Sequence, residues 1–217
     1  MQNTPPKLVI FDCDGVLVDT EGPVNEVIAA SLTRYGLPVS AHECQALFIG
    51  GTIFGVHDEA KRRGANLPDN WVDETLAAIF ARIEAGVEVI DGVTTLLDQL
   101  DKMGIATAIA SNGPMGKMER SLGPSGLWSR FEGRIYSREG FTPKPAPDMV
   151  LQALKDAGVD ASEAVMIDDS ASGCMAAVNA HVRAIGFAAE GQDASLRAVG
   201  AEVVNHIDAI AALIHLP

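Results

Sequence analysis

Short apolar, β-rich runs recur along this chain at residues 8–11 (LVIF), 105–110 (IATAIA), 164–167 (AVMI), 182–186 (VRAIG) and 202–204 (EVV). Their apolar residues run on rather than alternate, which is the signature of strands buried on both faces, as in a parallel sheet covered by helices. Between them, residues 93–103, 147–157, 171–180, 193–199 and 207–214 suit crossover helices. The pattern predicts an α/β class, a Rossmann-like parallel sheet core flanked by helices.

Residues 20–88 depart from that alternation, with helical periodicity and no buried strand. Helices are expected to begin near Pro23, Ala41, Gly55 and Asn70, with breaks at Gly36 to Pro38 and Gly64 to Pro68. Trp71, Leu76, Ile79, Phe80 and Ile83 have the spacing of a buried helical stripe. The expected organisation is therefore a core of 1–19 and 89–217 with an inserted α-helical unit at 20–88.

Composition narrows the possibilities. The chain has 217 residues and 47% hydrophobic content, enough for a sizeable core in one domain with an insertion. Acidic residues outnumber basic ones 29 to 16, for a net charge of −13, and Lys61, Arg62 and Arg63 form only a short basic cluster. Nucleic acid and membranes are therefore poor partners. Cys13, Cys44 and Cys174 are odd in number and lack metal-site or disulfide spacing, and the N-terminal stretch has no signal-peptide character. A cytoplasmic, monomeric protein is expected.

The candidate chemistry gathers at the ends of the runs. Asp12 and Asp14 follow the first, and residues two apart on a strand share a face. Two carboxylates about 4 Å apart repel by a few kcal/mol at intermediate dielectric, so they call for a cation, a shared proton or open solvent. Asp168 and Asp169 leave another run, ahead of Ser170 and Gly173, which suit a turn into a helix. Ser111, Asn112, Gly113 and Pro114 end a third, at a turn whose N–H groups can face an anion. Lys144 sits in the stiff segment Thr142 to Pro147. A parallel sheet brings such ends to one edge, where open α/β folds bind ligands.

These four motifs, DCDGVLVDTE at 12–21, Ser111–Asn112, Lys144 in KPAPD and Asp168–Asp169 in IDDSASG, resemble in order and content those of the haloacid dehalogenase superfamily, in its phosphatase and β-phosphoglucomutase-like branch. The resemblance implies a helical cap at the insertion and a phosphomonoester hydrolase working through an aspartyl-phosphate. Asp12 would be the nucleophile, and Asp14 the general acid and base, whose carbonyl also binds metal. Mg²⁺ would be held by Asp12, Asp14 and Asp169, with Asp168 an additional or water-bridged ligand. Ser111 and the Asn112 backbone would hold phosphoryl oxygens beside Gly113, and Lys144 would neutralise charge on nucleophile and phosphate.

Asp14 argues against dehalogenase chemistry, where no alkoxide needs a proton. The mutases carry a histidine where this chain has Val24, and an arginine in the cap loop that here reads Gly50, Gly51, Thr52, Ile53. Both differences favour hydrolysis over the phosphomutase alternative, and all the motif residues together argue against a non-catalytic phospho-ligand binding module. The segment 111–123, with IDDSASG, resembles bacterial sugar-phosphate phosphatases of the 6-phosphogluconate phosphatase type. That likeness implies a small phosphorylated metabolite as substrate and brings Lys117 near the site. Thr52 and its glycines are the cap residues best suited to approach it.

Overall fold

The computed structural model describes residues 4–48, 53–189 and 193–216. It divides into two compact units, Met1–Val18 with Val89–Pro217, and Asp19–Glu88. The chain starts with β1 (Leu8–Phe11) and the short β2 (Val18–Asp19), then runs through α1 (Glu21–Arg34), α2 (Ala41–Phe48), α3 (Ile53–Arg62) and α4 (Trp71–Glu84). It returns through β3 (Glu88–Val89), α5 (Val93–Lys102), β4 (Ala106–Ser111), α6 (Met115–Leu122), α7 (Leu127–Arg130) and β5 (Ile135–Ser137). It ends with α8 (Asp148–Ala157), β6 (Ala164–Asp168), α9 (Ala171–Asn179), β7 (Arg183–Phe187), α10 (Asp193–Ala198), β8 (Glu202–Val204) and α11 (Ile207–Leu213).

The larger unit is built on a six-stranded parallel sheet in the order β5-β4-β1-β6-β7-β8. The chain builds outward from β1 first to one side and then to the other, so the carboxyl end of β1 lies at the switch point where doubly wound sheets hold ligands. Every residue of β1 is buried. Leu8 and Ile10 join Ala108, Ala110, Met149, Val150 and Met166 in one apolar layer. Val9 and Phe11 serve the opposite face, where the Phe11 ring meets Phe131 edge-on at 6.1 Å. Burying apolar area on both faces stabilises the sheet by about 25 cal/mol per Å². The continuous runs of the sequence follow from that two-sided burial.

β5 has no counterpart in the sequence pattern. Its Ile135, Tyr136 and Ser137 are too few to show a period, yet they pair with Ile109, Ala110 and Ser111.

In the smaller unit, α2 begins where expected because Ser40 and Glu43 close a capping box: Glu43 N–H donates to Ser40 Oγ at 3.1 Å, and Ser40 N–H to Glu43 Oε2 at 2.8 Å. The buried stripe of α4 is Trp71, Thr75, Ile79 and Ile83, whereas Leu76 and Phe80 are only half-buried. Thr75 takes the inner place because Ser31 lies opposite, 3.4 Å from its hydroxyl, and also accepts the Trp71 indole N–H at 2.9 Å. Among the described residues no helix is long and apolar enough to cross a membrane.

Candidate active site

β1 delivers Asp12 to the carboxyl edge, and the ladder continues one residue past the strand, with Asp12 N–H donating to Ile167 O at 2.9 Å. Gly15 turns the chain back at φ +76°, and a Cβ there would lie 2.1 Å from Asp169 Oδ2. Glycine is therefore needed both for the left-handed turn and for the close approach of backbone to acid. Cys13 faces away, buried, its Sγ 3.9 Å from Ser121 Oγ. Burial, with Asp14 and Asp12 nearby, pushes its thiol well up, so it stays protonated in the core.

Lys144 joins the two acid clusters. Its Nζ donates to Asp12 Oδ1 at 2.7 Å, to Asp168 Oδ2 at 2.7 Å and to Ala110 O at 3.1 Å. Asp12 and Lys144 are each 7% exposed and Asp168 is fully buried. Burial raises the Asp12 carboxyl to about 6, opposed by Lys144 and reinforced by Asp168 and Asp14. Burial also works against the Lys144 ammonium, but Asp12 and Asp168 outweigh it and the lysine is raised. The two shifts pull oppositely on the pair; the lysine remains the cation because two carboxylates share it.

Asp168 is held on its other oxygen too, where Oδ1 accepts from Ser170 N–H at 2.9 Å and Ser170 Oγ at 2.7 Å. The same Ser170 hydroxyl accepts from Gly173 N–H at 3.0 Å and so caps α9. One carboxylate oxygen from each of Asp12, Asp168 and Asp169 lies within 4.8 Å of the others. These are hard oxygen donors of the kind Mg²⁺ takes, and the Gly15 backbone closes directly on one of them, Asp169.

The end of β4 supplies the neutral partners. Ser111 is buried and its Oγ accepts from Gly113 N–H at 3.1 Å. Gly113 lies close enough to Asp14 that a Cβ would be 3.5 Å from its Oδ2. Lys117, in the first turn of α6, donates to that oxygen at 2.8 Å, so it pairs with Asp14 rather than standing in solvent. Asn112 directs its side-chain amide at the backbone of Lys144. Thr52, with Gly50 and Gly51, lies outside the described residues.

Two supports have no signal in the sequence. Ser137 donates from Oγ to Gly113 O at 2.8 Å, and Glu139 Oε2 accepts the Met115 N–H at the start of α6, also at 2.8 Å. Both depend on β5 lying beside β4. Elsewhere, Arg62 and Arg63 both pair with Glu59 on a solvated helix face, and Glu21, at the start of α1, accepts from Gln45 at 3.4 Å.

The family model for haloacid dehalogenase-like hydrolases matches residues 9–187. The chain belongs to that family. Within this hydrolase family it is 26% identical over 185 residues to 6-phosphogluconate phosphatase of Escherichia coli (strain K12), covering 84% of this chain and 82% of that protein. It is 32% identical over 189 residues to phosphoglycolate phosphatase of Pseudomonas savastanoi pv. phaseolicola, covering 83% of this chain and 68% of that one. A solved HAD family hydrolase from Deinococcus radiodurans R1, with bound phosphate and sodium, superposes with a TM-score of 0.87 at 29% identity, covering 97% of this chain and 96% of that one. The parallel sheet is thus the fold of a hydrolase family, and both curated relatives are named as phosphatases.

Proposed function

We propose that this hydrolase is a phosphomonoesterase for a small phosphorylated metabolite, in the class of sugar and sugar-acid phosphates, with Asp12 as its nucleophile. The observation that carries this is the Asp12 carboxylate, buried at the switch point with one oxygen on the Lys144 ammonium at 2.7 Å. The relatives named for 6-phosphogluconate and phosphoglycolate support the substrate class.

In this mechanism the Asp12 carboxylate attacks phosphorus, forming an aspartyl-phosphate as the bond to the leaving oxygen breaks. Asp14 gives that oxygen its proton, later takes one from the water that attacks phosphorus, and the aspartate and inorganic phosphate are released. Ser111 and the backbone N–H of Asn112 hold phosphoryl oxygens beside Gly113, and Lys144 balances charge on nucleophile and phosphate. Asp12, the Asp14 carbonyl and Asp169 would hold Mg²⁺, with Asp168 beside them; the ion supplies charge neutralisation that phosphoryl transfer requires. Asp19–Glu88 would serve as a cap that closes over substrate, with hinges at 16–21 and 88–92.

Hydrolysis is favoured over phosphoryl transfer to a second sugar position because Val24 stands where the mutases carry histidine. The test is release of inorganic phosphate from an aryl phosphate and a panel including 6-phosphogluconate and 2-phosphoglycolate, with and without Mg²⁺. Turnover is expected to require the divalent ion and to vanish in Asp12→Asn. Substantial metal-dependent turnover in that variant would sink the mechanism. In Asp14→Asn, alkyl phosphates should lose far more than the aryl phosphate, whose leaving group needs little protonation.

A further inference from the structure

Lys144 lies between Pro143 and Pro145, with Pro147 just beyond. Proline has no N–H, so Pro143, Pro145 and Pro147 strip one edge of this segment of donors; it forms no strand, and the polar backbone of Lys144 must find partners outside a ladder. Asn112 provides both. Its Oδ1 accepts from Lys144 N–H at 2.8 Å and its Nδ2 donates to Lys144 O at 3.2 Å. A side-chain amide presents the same donor and acceptor as a peptide group, so Asn112 acts as one residue of an absent strand.

The other end of the lysine returns to the same strand. Its Nζ donates to Ala110 O at 3.1 Å, two residues before Asn112, as well as to Asp12 and Asp168. The end of β4 thus grips Lys144 at its backbone and at its head. A lysine stem is four flexible carbons, so the ammonium stands where its backbone and its ion partners jointly put it.

We propose that Asn112 is a positioning residue whose side-chain amide sets the place of the Lys144 ammonium, acting through the Lys144 backbone and not on the substrate. For its effect on turnover this rests on the reading of Asp12 as nucleophile; for its effect on the lysine it does not. The backbone N–H of Asn112 stays available for a phosphoryl oxygen, so one residue serves the substrate with its main chain and Lys144 with its side chain.

Reductive methylation of the full chain, followed lysine by lysine by mass spectrometry, tests the effect on the lysine. Lys144 should be the slowest to react in the wild-type protein. Asn112→Ala should speed its labelling about tenfold, by local opening, with Lys7 and Lys155 unchanged. Asn112→Asp keeps the acceptor for the Lys144 N–H and should fall between; it decides the matter if Asn112→Ala does not fold. Unchanged labelling of Lys144 in a folded variant would overturn the proposal.

Turnover of an aryl phosphate gives the second readout. Asn112→Ala should lower kcat by about tenfold or more with little change in KM, as misplacement of a charged group does. Added to Lys144→Ala, it should cost less than about twofold further, because both changes act on one group. Multiplying losses would mean that Asn112 acts on substrate by itself, against the proposal. If the wild-type protein released no phosphate from any ester, the proposed function would fail while the labelling result still decided the role of Asn112.

Discussion

The Lys144 ammonium donates to Asp12 Oδ1 at 2.7 Å inside the protein, and reaches Asp168 Oδ2 at the same distance. Both carboxylates are buried, and the lysine is the cation that offsets their charge, with the Ser170 donors adding to it at Asp168. Lys144→Ala should destabilise the metal-free protein by about 3–5 kcal/mol, the cost of leaving a buried charge unpaired. Denaturant unfolding with a chelator present measures this. A loss below about 1 kcal/mol would mean that the carboxylates find other compensation.

Gly173 stands in the first turn of α9, where alanine ordinarily favours a helix by about 1 kcal/mol. Here the sign reverses. A Cβ at Gly173 would lie 1.8 Å from Asp168 Oδ2. That carboxylate cannot swing aside, because Lys144 holds one oxygen and Ser170 the other. Gly173→Ala should therefore cost about 1–3 kcal/mol as an overpacked site, and lose activity as Asp168 pulls Lys144 with it. Gly140→Ala is the control, since the nearest atom to its Cβ is Ser137 O at 4.0 Å. Equal melting temperatures for the two variants would contradict the clash.

The sheet was legible because its central strands are buried on both faces and must be continuously apolar. The motif residues were legible because Asp12, Ser111 and Asp168 stand at the ends of those runs. What the chain's pattern does not carry is contact between edges: β5 is three residues long, and Ser137 and Glu139 reach the site only through it. Thr75 escaped the apolar stripe of α4 because its burial depends on a hydroxyl of α1, which no period records. The double grip of Asn112 on Lys144 likewise joins residues 32 positions apart through polar atoms alone.

Tyr136, on β5, offers a spectroscopic check of that edge. Its phenol is pushed up to about 12, first by burial and then by its hydrogen bond to Asp156 at 2.9 Å. The folded state thus holds this proton more tightly than the unfolded chain does, with its ordinary value near 10. The stabilisation is complete below about pH 10 and is lost as pH rises towards 12. The chain has only two tyrosines, Tyr35 and Tyr136, so the absorbance change of a single phenol is large enough to follow. Tyr136→Phe should remove the step near 12. If that step survives the substitution, the buried phenol is not its source.

Lys117 separates two ways of serving the proposed reaction. Its ammonium is 2.8 Å from Asp14 Oδ2, and both side chains are about three-quarters covered, 23% and 24% exposed. A partly exposed pair of this kind contributes on the order of 1 kcal/mol, or about fivefold in rate if the contribution is felt at the transition state. If Lys117 acts by orienting Asp14, then Lys117→Met should reproduce the signature of Asp14→Asn in weaker form: kcat falls for alkyl phosphates, an aryl phosphate is spared, and KM holds. If it acts by gripping the substrate's phosphate, KM should rise for every ester alike, because uniform binding is lost. The distance to Asp14 favours the first pattern, and steady-state kinetics on one alkyl and one aryl phosphate distinguishes them.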